Sequence, residues 1–406
     1  MKTIVFLGTN RMGSSYEGVK AAKTLGYNTI LLTNRSIFVE EKENFPEIDY
    51  VRLTDMSSTD EIFKAIAEII SEDNEIGCFI SFLDEYVHLA AMLTNELCNS
   101  SLSFESLIIM SDKIATRRYL SQKAYTPFYK VITAMDRVEE EGKALIDLFP
   151  LIIKSPQSNA SKDVFLVDNL REFKKGVKRI QSKNPIHPIL IEEYLQGPQY
   201  LVEVVIFNGK VSIPAIVEQE VTKGERFIIT GYSLCPKIPA AFLQGLEETV
   251  FSIITDLHLE NGSCHLELKF TDKGWRLIEI NPRMAGGAMN RMIEVAYGYN
   301  LAEQTIQLFC GHEPNFCRKH ENYVYTHYLI IESIGRLLKV SGEELAKSES
   351  GVLEVFTKGK TGQIITPPRS MGHRYGYVLA TADSREQARR LAIKAAEKIQ
   401  FYLQPI

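Results

Sequence analysis

The chain has 406 residues, a length that calls for two or three hydrophobic cores rather than one. With 45% hydrophobic and 24% charged residues it has the makeup of a folded globular protein, and a net charge of −5 excludes a general attraction to nucleic acid or to anionic membranes. The six cysteines are scattered without metal-ligand spacing and are expected as free thiols in a reducing cytoplasm; no apolar run has the length of a membrane span, and no cleavage-site pattern marks a signal peptide.

The first hundred residues alternate strand and helix patterns. "TIVFLG" reads as a buried strand, "SSYEGVKAAKTLG" as a helix stopped by Gly26, and "YNTILLT" as the next strand. "EIDYVRLT", the helical "TDEIFKAIAEII" and the strand "IGCFISF" follow, so this part is predicted to be a right-handed βαβ unit with a parallel sheet. The first strand-to-helix turn, "GTNRMGSS", nearly spells a phosphate-binding loop, but Ser14 stands where that loop needs a lysine. The G-x-G-x-x-G spacing and an acidic ribose anchor are missing as well, so no dinucleotide site is expected there. Two readings remain: a tight turn made possible by glycine, or a turn that caps an anionic group of a substrate.

The middle region carries more chemistry. "PLIIKSPQSNASKDVFLV" is a strand ending in Lys154, a Ser- and Asn-rich tip, and a second strand; it suits either a phosphate cover or an ordinary polar hairpin. In "PILIEEYLQ" a strand ends in Glu192 and Glu193, whose side chains pleat alternation sends to opposite faces. "SCHLELKFTDKGWRLIEINPRMAGG" predicts a hairpin with Glu267 in mid-strand and with Glu279 and Asn281 two apart on one face. Three hard oxygen donors aimed at one place suit magnesium, and carboxylates inside such apolar strands are costly to bury without a cation. Arg283 follows at once, where a guanidinium suits a carboxylate or a transferring phosphoryl group, and Gly286 and Gly287 allow close backbone approach.

The last region opens with the strand "NYVYTHYLIIE" and closes with "GYVLATADS" and a long amphipathic helix, "REQARRLAIKAAEKIQFYL", capped by Ser384. "GRLLKVSG", "GKTGQIITPPRS" and "GHRYG" read as turns around the mouth of a site, and Tyr323, Tyr325, Tyr328 and Tyr375 as core residues.

Lys113 in "SDKIATRRYL", Lys154, the serine-rich hairpin, "IEEYL" and the pair "HLEL…IEINPR" stand in the order and spacing of the ATP-grasp superfamily, which the chain resembles over nearly its whole length. "NPRMAGGAMNRMIEVAYGYNL" and "GHRYGYVLATADSREQARRLA" are similar to bacterial L-amino-acid ligases, enzymes that form dipeptides from two free amino acids. The resemblance implies an α/β ATP-grasp fold: a Rossmann-like pre-ATP-grasp domain over 1–105, a two-lobed core over 106–312 and a sheet-plus-helix lid over 313–406. It implies ATP and Mg2+ as cofactors, amino acids as small-molecule substrates, and a homodimer as in many related enzymes. By resemblance, Lys113 and Lys154 contact ATP phosphates, and the loop 158–162, with Ser158, Ser161 and Lys162, closes over them. That loop has no glycine, unlike its usual counterparts. Glu192 would meet the adenine amino group, the segment Glu193, Tyr194 and Leu195 the ring edge, Glu203 the ribose, and Tyr200 the same nucleotide site. Glu267, Glu279 and Asn281 would hold magnesium, Glu279 also bordering the nucleotide. Arg283, with Lys154 and His265, would serve catalysis, and Arg283, Gly286, Gly287 and Arg291 the substrate. His265 suits either a hydrogen bond to the phosphoryl group or a satisfied half-buried role, and Arg291 either a substrate carboxylate or a solvated helix face. The function expected is an ATP-dependent carboxylate–amine ligase. The alternatives are a carboxylating enzyme resembling biotin carboxylase, a non-catalytic ATP-binding protein, and a nicotinamide-dependent oxidoreductase using the first turn.

Overall fold

In the computed structural model, which describes residues 2–72, 75–156, 162–222 and 227–406, the first strand forms where the sequence is most apolar. Every residue of β1 (Thr3–Leu7) is buried, as a central parallel strand covered on both faces requires. The chain then turns through Gly13, at φ 76, into α1 (Ser14–Thr24). β2 (Asn28–Thr33), α2 (Ile37–Glu40), β3 (Tyr50–Leu53), α3 (Thr59–Ser71), β4 (Ile76–Ile80) and α4 (Val87–Cys98) complete the unit. The Ser58 hydroxyl caps α3 by accepting the Glu61 N–H. The strands lie in the order β3-β2-β1-β4, all parallel. Growth of the sheet reverses at β1, so the loops leaving β1 and β4 flank the switch point where open α/β sheets bind ligands.

Next come α5 (Phe104–Ser111) and α6 (Lys113–Tyr119), the latter capped by Asp112, whose carboxylate accepts the Ile114 and Ala115 N–H groups. A four-stranded antiparallel lobe follows: β5 (Tyr129–Ile132), α7 (Val138–Ala144), β6 (Leu151–Lys154), β7 (Val164–Val167), α8 (Leu170–Gln181) and β8 (Ile189–Glu193), in the order β5-β8-β6-β7. Phe173, Val177 and Ile180 of α8 pack with Ile153 and Ile191 to give this lobe its own core.

The second lobe is built from β9 (Gln199–Phe207), β10 (Lys210–Val221), β11 (Ile229–Leu234), α9 (Ala240–Asp256), β12 (Gly262–Thr271), β13 (Gly274–Asn281), α10 (Met289–Tyr297) and α11 (Leu301–Phe309). The β12–β13 hairpin turns between Thr271 and Gly274. Its register sets Glu267 opposite Glu279 and His265 opposite Asn281.

The chain ends with β14 (Tyr323–Tyr328), β15 (Gly335–Ser341), α12 (Glu343–Lys347), β16 (Val352–Thr357), β17 (Ile364–Ile365), β18 (Gly376–Ala382), α13 (Arg385–Ala396) and β19 (Gln400–Gln404). β14 pairs with β11, so one antiparallel sheet of eight strands, β13-β12-β9-β10-β11-β14-β18-β16, runs across the boundary expected at 312/313. Two expectations are corrected. "GRLLKVS" is a strand, not a turn, and the terminal helix stops at Ala396 because the pattern changes there. Ala388, Ala392 and Ala395 make a small-residue face that the helix buries, whereas Phe401 and Leu403 alternate with exposed neighbours and pair against β15 at Val340 and Leu337. Among the described residues no helix is long and apolar enough to cross a membrane.

Candidate active site

A cleft of about 360 Å3 opens between the four-stranded lobe and the eight-stranded sheet. One wall comes from Ile152, Lys154, Val164 and the segment Glu192, Glu193, Tyr194 and Leu195. The other comes from Leu201, Tyr232, Glu267, Ile278, Glu279 and Asn281.

At its base lies a buried charge cluster. Lys154 and Glu192 are near neighbours on adjacent strands, and their heads meet at 2.6 Å; Arg117 of α6 reaches the other Glu192 oxygen at 2.5 Å. Burial alone would raise the Glu192 pKa, but the charges of Arg117 and Lys154 outweigh it and hold the carboxyl below its usual range. Burial lowers the Lys154 pKa, partly offset by Glu192. Arg117 also donates to the carbonyls of Leu277 and Ile278, so it ties α6 to β13. One turn earlier on α6, Lys113 pairs with Glu279 at 3.1 Å.

Glu267, Glu279 and Asn281 all line the cleft. Gln199 donates to Glu267 at 3.3 Å. Burial and the neighbouring Glu279 push the Glu267 carboxyl up to about 7, while Lys113 and Lys154 keep Glu279 below its usual range despite burial. His265 accepts a hydrogen bond at Nε2 from the Asn281 amide (3.2 Å) and donates from Nδ1 to the Arg283 carbonyl (2.7 Å), roles assigned from this network. Both ring nitrogens are thus used, and burial beside Arg283 pushes its pKa down to about 4, so the ring is neutral. The residues fit a magnesium ion. Two facing carboxylates and an amide oxygen are the hard donors it takes. Bound there, magnesium would neutralise phosphate charge and orient phosphate oxygens.

Beyond the strand, Arg283 pairs with Asp84 at 2.6 Å, which joins the loop after β13 to the loop after β4. The first turn enters here. The Ser14 hydroxyl donates to the Ala285 carbonyl at 2.6 Å, and a Cβ on Gly13 would lie 3.5 Å from the Gly287 oxygen. The "GTNRMGSS" turn therefore braces the glycine loop. With Asn10, Arg35, Asp84 and Arg283 it also walls a second cavity of about 290 Å3 that shares Asp84, Arg283, Gly286 and Gly287 with the cleft.

Family models match an ATP-grasp N-terminal domain over residues 19–98 and an ATP-grasp domain over 148–291, and an L-amino acid ligase C-terminal domain 2 over 327–404. The chain belongs to the ATP-grasp superfamily. It is similar to y4rH, an uncharacterized protein of Sinorhizobium fredii, at 25% identity over 308 residues, 74% of this chain and 63% of that protein. It is also similar to dapdiamide A synthase of Enterobacter agglomerans, at 24% identity over 258 residues, 58% of each. The aligned region thus spans less than two thirds of these curated relatives. In fold, the chain matches an L-amino acid ligase from Bacillus licheniformis with a TM-score of 0.84 at 17% identity, covering 100% of this chain and 99% of that one.

Within the ATP-grasp cleft several expected residues are placed differently. Glu192 lines the cleft, with its carboxylate paired to Arg117 and Lys154. Glu203 is buried, and its carboxylate accepts the Ala285 N–H at 2.9 Å instead of facing a ribose. Tyr200 points to the other side of the sheet, packed edge-on against Trp275 and beside Phe242. Arg291 is held by Glu294 (2.6 Å) and Glu354 (3.5 Å) outside the cleft wall, because the first turn of α10 points it at β16. Lys162 is exposed and lies off the cleft wall; Ser158 and Ser161 lie outside the described residues. Sequence reasoning missed Arg117, Asp84, Gln199, Lys269 and Arg374. Two of these had a signal: Arg117 is four residues after Lys113, hence on the same helix face, and Asp84 follows a strand at the sheet's switch point.

Proposed function

We propose that the chain is an ATP-dependent ligase that joins the carboxylate of one amino acid to the amine of another through an acyl phosphate. The observation that carries this reading is that two cavities share Asp84, Arg283, Gly286 and Gly287 in their walls, with Glu267, Glu279 and Lys154 lining the first and the turn at Gly13 to Ser15 the second. ATP would lie between the lobes, its base against Tyr194 and Leu195 and its phosphates toward Lys113 and Lys154. Glu267, Glu279 and Asn281 would hold magnesium. A carboxylate placed beside Arg283 attacks the γ-phosphorus, the bond to ADP breaks, and Arg283 stabilises the charge on the transferring group. The amine then attacks the acyl carbon, phosphate leaves, and the amine nitrogen loses a proton. His265 is a positioning residue in this scheme: neutral and doubly bonded, it aligns Asn281 and the Arg283 backbone.

The test is ADP and phosphate release with ATP and magnesium across single L-amino acids and their pairs, with mass spectrometry of the products and Glu279→Ala as control. Release that requires two particular amino acids, yields their dipeptide and disappears in the control supports the reading. Release that depends on bicarbonate and makes no amide would replace it with carboxylation.

A further inference from the structure

Four lysine and arginine side chains line the cleft: Lys154, Lys269, Arg283 and Arg374. Three are paired with a carboxylate or a backbone carbonyl. Lys154 meets Glu192, Arg283 meets Asp84, and Lys269 donates to the Leu195 carbonyl at 2.9 Å. Arg374 differs. Among the described residues no carboxylate lies within ion-pair distance of it, and its Nη1 is buried without a hydrogen-bond partner. Its guanidinium instead stacks on Tyr328, 3.7 Å from the ring centre, and hydrogen-bonds the Tyr232 side chain, whose ring centre lies 6.0 Å away. Stacking uses the face of the guanidinium and leaves Nη1 to donate to an oxyanion.

The surroundings hold this group in place. Arg374 follows the short 3-10 turn Met371–His373, where Ser370 accepts the Gly372 N–H. Met371 lies on the same wall and accepts the Ile229 N–H at its sulfur, which ties the turn to β11. Tyr328 ends β14 and Tyr232 lies on β11, so both rings stand on the sheet rather than on a loop. Lys154 belongs to the opposite, four-stranded lobe. Met371 and Arg374 are the C-terminal region's share of the cleft wall among the described residues, and Arg374 is its one charge.

Resting on the ligase reading above, we propose that Arg374 binds the carboxylate of the amine-donating amino acid. The chemistry separates the two carboxylates. The acid being activated becomes a neutral acyl group, and Arg283 already stands beside the second cavity to meet it. The amine donor's carboxylate keeps its charge from binding to product. A guanidinium stacked on Tyr328, hydrogen-bonded to Tyr232 and left with a buried, unpartnered Nη1 suits a charge that does not change during the reaction.

Arg374→Gln and Arg374→Lys test this, with folding checked by Trp275 fluorescence on melting. Calorimetry would measure binding of single L-amino acids, and of the same compounds as carboxamides, to protein loaded with magnesium and a non-hydrolysable ATP analogue. In Arg374→Gln, amino-acid affinity and the matching KM should weaken roughly 10- to 100-fold, the carboxamides should bind as to wild type, and ATP-analogue affinity should not move. Arg374→Lys should recover part of the loss. Unchanged amino-acid affinity overturns the proposal; so does weakened ATP-analogue binding, which would make Arg374 a phosphate contact. If wild type turns over no amino-acid pair yet binds amino acids in an Arg374-dependent way, the ligase reading falls and the carboxylate anchor stands. If it binds none, both fall.

Discussion

Glu203→Gln should make the protein more resistant to alkaline conditions. Glu203 is 1% exposed in the middle of β9, between Ala215 of β10 and His265 of β12. Burial pushes its pKa from an ordinary 4.5 up to about 8, with the Ala285 N–H and Arg283 opposing. Below pH 4.5 the folded and unfolded states are both protonated, and the group contributes no pH dependence. As pH rises from there toward 8, the unfolded chain gives up its proton first. It then binds fewer protons than the native state, and stability falls. Above about 8 both states are ionised and the loss levels off. Each pH unit of separation is about 1.4 kcal/mol, so the full span is on the order of 5 kcal/mol at most. Glutamine keeps an oxygen for the Ala285 N–H and cannot ionise. Urea denaturation at pH 5 and pH 8.5, followed by the single tryptophan, Trp275, on β13 of the same sheet, measures the difference. The variant and wild type should nearly coincide at pH 5 and separate by several kcal/mol at pH 8.5, the variant being the more stable. An equal difference at both pH values would show that Glu203 is ionised in the native state and refute the argument.

Arg117→Met leaves buried Glu192 with Lys154 as its one charged partner and releases two carbonyls of β13, so it should cost about 3 kcal/mol or more, seen as a lower melting temperature; restoration of much of that loss by adding Glu192→Gln would identify the stranded charge as the cause. Ser14→Ala removes the brace on the Ala285 carbonyl, worth about 1 kcal/mol, and should lower kcat/KM roughly fivefold while ATP affinity stays put. A fall in ATP affinity instead would mean that the first turn touches the nucleotide.

The strands that carry the acidic site were legible because their pattern is local. "HLELKFTDKGWRLIEIN" contains the turn, the alternation and the spacing that set Glu267 opposite Glu279, and backbone pairing preserves that information. The parallel N-terminal sheet was legible for the same reason. The sequence alone also determined that Ser14 is no phosphate lysine and that Glu279 and Asn281 share a face. Tertiary structure decided the rest. Glu203 reads like any strand carboxylate until the loop at Ala285 descends on it, and Tyr200 reads like a pocket aromatic until Phe242 and Trp275 claim it. Arg374 sits among ordinary turn residues, and its importance comes from Tyr232 and Tyr328, which lie 142 and 46 positions earlier. Periodicity reports which face a side chain takes within its own element. It carries no record of which distant element will cover that face, and at this site the covering residues decide whether a charge is buried, paired or left open to a ligand.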